Sequence, residues 1–293
     1  MKYNEIIIKD VKRKEKLFSY LKRYGFSKNY INNLRKKEGY ILVDEKIAYL
    51  DNFVKVGQRV QLCASPNAKT NIVPVDIPLE IVYEDDDLLL INKPSGLATM
   101  PTKSHFKDNL CGAILNYMLP KDFNFTVRIV GRLDKDTAGI VAVAKHSTAC
   151  RYYSQSGIIQ KTYYAIASGK IENDVLVDKP IATTNNKLGY NNLKREINDF
   201  GKQAQTFIMP IAYYDNNTLC KVEIKQGRTH QIRLHLASIG HPLVGDSVYG
   251  TPSNQISHTA LICKQVNLRL INGQQKTFSV DYPEDFKKIF KGI

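Results

Sequence analysis

The sequence predicts an α+β protein: a mixed, largely antiparallel central sheet with helices packed on it, preceded by a small α/β domain. Two observations carry this reading. Beyond residue 77, segments of alternating or β-branched apolar residues outnumber helical ones. Before it, Ala64 to Pro78 shifts to Ser, Pro, Asn, Thr and Asp, a linker composition that divides the chain. We therefore place an N-terminal domain at 1–62, a linker at 63–76 and a large domain at 77–293.

In the first domain, Leu17 to Tyr24 and Asn29 to Lys37 are short amphipathic stretches. Leu17, Leu21, Ile31 and Leu34 mark their core side, and Lys22, Arg23, Lys28, Arg35, Lys36 and Lys37 form a basic rim. Gly39 stops the second helix, and Tyr40 to Val43 and Phe53 to Leu62 read as short strands. In the large domain, strands are expected at 79–84 and 87–93, separated by an acidic turn. Others follow near 139–144, 162–168, 204–214, 219–226 and 260–270. A helix runs through Ile232, Leu236 and Ile239, with Thr229 as its N-cap and Gly240 and Pro242 as its stop. That register leaves Arg233 off the core stripe.

The 293 residues exceed the usual single domain, and a hydrophobic content of 43% supports sizeable cores. The formal net charge of +14 calls for an acidic partner. Residues 1–62 hold 15 Lys and Arg against 7 Asp and Glu, so +8 of the excess lies there. No cationic amphipathic helix accompanies a lipidation signal, so nucleic acid is favoured over a membrane surface. No run of about 18 apolar residues exists, and Met1 to Glu5 lacks the apolar core of a signal peptide. A cytoplasmic monomer is expected. The five cysteines are scattered without C-x-x-C spacing and read as reduced thiols. His230, His235 and His241 stand five and six apart, a spacing that does not stack them on one helical face, so no metal is expected.

The chemistry concentrates at Gly131-Arg132-Leu133-Asp134-Lys135-Asp136-Thr137-Ala138-Gly139, a turn feeding the apolar run Ile140 to Ala144. Arg132 and Asp134 lie two apart, so in an extended segment they project to one side, where a guanidinium holds a carboxylate ionised. These nine residues alone fit a surface ion pair equally well. Three further blocks decide: Asn92-Lys93-Pro94-Ser95-Gly96-Leu97, Lys161-Thr162-Tyr163-Tyr164-Ala165, and Gly227-Arg228-Thr229-His230-Gln231-Ile232-Arg233-Leu234-His235, which leads into Pro242-Leu243-Val244-Gly245-Asp246.

In this order, the four blocks resemble the RluA-type family of RNA pseudouridine synthases, from about residue 77 to the C-terminus. Residues 1–62, ending in Val56-Gly57-Gln58-Arg59-Val60, look like the small RNA-binding domain named after ribosomal protein S-four. The resemblance implies the pseudouridine synthase fold and an isomerase that detaches uracil from ribose, turns it and rejoins it through carbon 5. The reaction requires no redox change and no added group, so no cofactor is implied. It assigns catalysis to Asp134, with Tyr163 against the flipped base and Arg233 paired with Asp134. Arg132 fills the space the uridine vacates, as a planar guanidinium suits. Asp136 falls at a variable position and reads as a solvated turn residue. Arg35, Lys36 and Lys37 become phosphate contacts that position RNA. Ribosomal RNA of the large subunit is the favoured substrate, with transfer RNA as the alternative.

This sequence departs from the family pattern at Gly131, Ala138, Met100 and Ile262, which changes the surroundings of the site rather than its proposed catalytic groups. Two other readings fit less well. A non-catalytic RNA-binding protein leaves the joint presence of Asp134, Tyr163 and Arg233 unexplained. A glycoside hydrolase using Asp134 and Asp136 leaves the basic domain unexplained.

Overall fold

The computed structural model describes residues 4–26, 28, 31–32, 40–63, 72–102, 104–122, 125–184, 194–250, 253 and 256–291. The N-terminal part contains β1 (Asn4–Ile7), α1 (Leu17–Tyr24), β2 (Tyr40–Val43), β3 (Lys46–Ile47) and β4 (Arg59–Cys63). Its strands form an antiparallel sheet in the order β1-β4-β2-β3. Leu17, Tyr20 and Leu21 of α1 bury against Ile6, Ile8, Val60 and Leu62, which gives this part a core of its own. Arg23 is not part of an open basic rim. It bonds Glu15, which is buried, and Asp10. Arg35, Lys36 and Lys37 lie outside the described residues.

The large part contains β5 (Glu80–Glu84), β6 (Leu88–Lys93), α2 (Leu110–Met118), β7 (Ile129–Val130), β8 (Ala138–Ala144), α3 (Ser147–Tyr153), β9 (Ile159–Ser168) and β10 (Val175–Asp178). After these come β11 (Ile181–Thr183), β12 (Arg195–Ile197), β13 (Gln205–Tyr214), β14 (Asn217–Ile224), α4 (Gln231–Ala237), β15 (Leu261–Arg269), β16 (Gln275–Ser279) and α5 (Glu284–Ile289). One sheet runs β10-β13-β14-β9-β15-β8-β6-β5, with β16 on β15 and β7 on β8. Every pairing between these strands is antiparallel except β8 with β15. The mixed, largely antiparallel sheet predicted from the sequence is therefore present. β11 and β12 form a separate hairpin that sequence periodicity did not indicate.

β8 reads Ala-Gly-Ile-Val-Ala-Val-Ala and is buried along its whole length, as befits a strand covered on both faces. Its parallel contact with β15 sets Gly139 opposite Cys263. A Cβ at Gly139 would stand 2.2 Å from the Cys263 carbonyl oxygen, and the residue has φ +105°. Only glycine lets the two backbones approach so closely there. Cys111, Cys220 and Cys263 are free and buried.

The chain meets the large core ahead of residue 77. Ile72 packs on it, and the Val75 amide donates to the Gly112 carbonyl of α2 at 3.2 Å. The two parts of the chain also touch, where the Arg151 guanidinium donates to the Lys22 carbonyl at 2.6 Å.

Candidate active site

Asp134 sits on the loop between β7 and β8, and this loop is held mainly by its carbonyl oxygens. Lys161 Nζ donates to Gly131 O at 2.7 Å, Thr99 Oγ1 to Leu133 O, Lys93 Nζ to Lys135 O at 2.9 Å and Ser95 Oγ to Asp136 O at 2.8 Å. The Gly96 amide adds a second bond to Lys135 O at 3.0 Å, and the Thr137 amide closes a turn on Asp134 O at 3.2 Å. With its backbone acceptors satisfied from behind, the loop presents the half-buried Asp134 carboxylate and the exposed Arg132 forward. Gly131 has φ +72° and lies against Lys161 Nζ. A left-handed residue here is suited to glycine.

Lys93 is the principal residue that sequence reasoning passed over. It is fully buried, and its amine donates to Pro94 O at 2.8 Å, Leu97 O at 2.9 Å and Lys135 O. Those three bonds match the three protons of an ammonium. Burial pulls its pKa down to about 7, against the fields of Asp136 and Asp134. Its position in the Asn92-Lys93-Pro94 block was the only sequence signal for it.

Tyr163 lies on β9 opposite Val222 and Cys263, and is 6% exposed. Burial, with the fields of Cys263 and Asp134 adding to it, raises its phenol well above the ordinary tyrosine value, so it stays protonated. Tyr164 points to the other face and packs edge-on against Tyr282, as strand alternation requires. Lys161, on the Tyr163 side, is lowered by burial, and Cys263 is pushed up to about 11 by the same cause.

Three expectations about the Arg233 helix are corrected. Arg233 is buried, because every side chain of α4 from Gln231 to Leu236 is covered. A helix enclosed on all sides has no polar stripe for its period to reveal. Its partner is also different from the one expected. Arg233 Nε and Nη2 bond the two carboxylate oxygens of Asp246 at 2.7 Å each, and Asp134 acts on Arg233 only through its field. Nor does Thr229 cap α4. The N-cap is His230, with a left-handed backbone, and the Thr229 hydroxyl instead accepts a bond from Arg132. Arg132 is therefore anchored to the segment before α4 rather than to Asp134.

His230 closes the site. Its Nε2 is 4.0 Å from Asp134 Oδ2, and its Nδ1 is 3.0 Å from the Tyr249 hydroxyl. Among the described residues, no group of His, Cys, Asp and Glu converges as metal ligands. The arrangement offers a carboxylate at the surface, a protonated buried phenol and an exposed guanidinium. Together these can attack or deprotonate a nucleoside, face its ring and replace it in its stack.

The chain matches the family model for RNA pseudouridylate synthase over residues 87–238, just over half its length. It is 32% identical to an uncharacterised RNA pseudouridine synthase of Aquifex aeolicus over all of this chain and 98% of that one. It is 37% identical to the ribosomal large subunit pseudouridine synthase D of Pseudomonas aeruginosa, across 73% of this chain and 67% of the relative. The solved structure of human RNA pseudouridylate synthase domain containing 1 shares the fold, with a TM-score of 0.56 at 23% identity over 70% of this chain and 83% of that one. The chain belongs to the RNA pseudouridylate synthase family, and its motifs place it among the RluA-type members. It is thus an isomerase that converts uridine to pseudouridine in RNA.

Proposed function

We propose that this enzyme modifies uridines of large-subunit ribosomal RNA, working as a monomer in the cytoplasm. The observation that carries the reading is the Asp134 loop. A carboxylate is held by backbone bonds at the surface, beside a buried protonated Tyr163 and an outward Arg132. Asp134 acts on the target nucleoside, Tyr163 faces the flipped base, and Arg132 takes the place the base leaves. Arg233 contributes a positive field from its bond to Asp246. Residues 1–62, including Arg35, Lys36 and Lys37, supply phosphate contacts that position the RNA.

The choice of RNA draws support from relatives named for the large ribosomal subunit. Pseudouridine mapping across all cellular RNA, with and without the gene, tests it. Sites lost from large-subunit RNA support the reading; sites lost only from transfer RNA overturn the substrate.

A further inference from the structure

His230 has φ +57°, a left-handed backbone that a non-glycine side chain adopts at a cost. Its ring meets Tyr249 edge to face, with centroids 5.6 Å apart at 79°. The Tyr249 hydroxyl accepts the Arg195 amide proton at 2.7 Å and lies 3.0 Å from His230 Nδ1. With one lone pair engaged by Arg195, the hydroxyl satisfies its own proton by donating to Nδ1. The hydrogen of the neutral imidazole then sits on Nε2, the atom that faces Asp134 Oδ2 across 4.0 Å. Burial lowers the pKa of His230 and favours this neutral form. The positive Arg233 and Arg195 act in the same direction, and the carboxylates of Asp134 and Asp246 oppose it.

We propose that His230 is a positioning residue, whose Nε2–H aims the Asp134 carboxylate at the nucleoside and whose tautomer is set by Tyr249. The 4.0 Å gap closes to a hydrogen bond in the complex, as catalytic contacts that are long in the unliganded enzyme commonly do. Through Arg195 of β12, the β11–β12 hairpin is part of the same chain of bonds. The inference rests on Asp134 being the catalytic carboxylate.

The test separates a donor from a backbone role. Gln places its amide nitrogen near the position of Nε2, whereas Asn is too short to reach but tolerates left-handed backbone. Full-length variants are assayed by tritium release from total cellular RNA labelled at uridine carbon 5, taken from cells lacking the enzyme. His230→Gln should retain most of kcat, and His230→Asn should lose about a hundredfold in kcat, the scale of a misplaced reacting group, with KM little changed. Tyr249→Phe removes the donor to Nδ1, so the imidazole proton is no longer confined to Nε2; nitrogen NMR of that variant should show the Nδ1–H tautomer as well, with kcat lowered. Nitrogen NMR of the wild-type imidazole should show a bare Nδ1.

An Asn variant as active as Gln, a Tyr249→Phe imidazole still held wholly in the Nε2–H tautomer, or a protonated Nδ1 in the neutral wild type would each overturn the inference. Asp134→Asn in the same assay tests the reading beneath it. Activity in that variant would sink the role of Asp134, whereas an inactive Asp134→Asn beside fully active His230 variants would sink only the role of His230.

Discussion

Arg233 and Asp246 form a buried, two-pronged ion pair, with exposures of 4% and 0% for their side chains. Asp246 is saturated, since its Oδ1 also accepts the amides of Val248 at 2.9 Å and Tyr249 at 3.0 Å. The Arg233 guanidinium lies over the Tyr249 ring, 5.5 Å from its centroid. The pair therefore fixes the segment that carries Tyr249, which in turn holds His230.

Removing one member of such a pair strands a buried charge. Asp246→Asn should cost about 3–5 kcal/mol, read as a lowered midpoint in denaturant. Burial pushes the Asp246 carboxyl up, but the bond and field of Arg233 hold it below its ordinary value of 3.8. Its contribution is complete above that value and is lost as pH falls below it. Acid titration should thus unfold the wild type with a steeper pH dependence than Asp246→Asn.

Asp134→Asn should abolish pseudouridine formation while RNA binding stays within a few fold, because charge is removed and volume is kept. Tritium release and filter binding measure the two quantities. Substantial turnover would remove Asp134 from its role.

Tyr163→Ala should weaken binding by about 1–3 kcal/mol if the ring faces the flipped base. Tyr163→Phe should keep most of that binding and slow the later proton transfer. Equal, mild effects on single-turnover rates would make Tyr163 a packing residue.

Gly139→Ala should destabilise by about 3 kcal/mol or more, since an added methyl meets the Cys263 backbone and the backbone angle is strained as well. A melting midpoint within a degree of wild type would contradict the close strand approach.

A chain beginning at Ile72 should fold, because it keeps the Val75–Gly112 bond. It should bind RNA more weakly and with a shallower salt dependence, the log-log slope falling by roughly 0.7–0.9 for each phosphate that is no longer neutralised. Unchanged affinity and slope would make the basic segment a solvated face.

The strands of the large part were legible because alternation and β-branched runs are direct signatures of a sheet, and β8, β9, β13, β14 and β15 lie close to their expected positions. Asp134 and Tyr163 were singled out by motif order, and the structure brings the Asp134 carboxylate within electrostatic reach of the Tyr163 phenol. The partner of Arg233 was not legible, since Gly245-Asp246-Ser247 reads as a polar turn and nothing local reveals that Asp246 is buried against α4. Lys93 was hidden for the opposite reason. A lysine is expected at the surface, and only the tertiary arrangement of three carbonyls makes an interior amine tolerable. His230 looked like an idle member of a histidine series because its geometry depends on Tyr249, which lies 19 residues further along the chain in a turn.

The parallel seam between β8 and β15 has a consequence for biosynthesis. The strand that leaves the Asp134 loop finds its neighbour well over a hundred residues later, at Ile262 and Cys263. Closing so distant a contact is slow and requires nearly all of the chain to have emerged. A nascent polypeptide on the ribosome therefore carries Asp134 and Tyr163 for many seconds before they belong to an assembled catalytic centre.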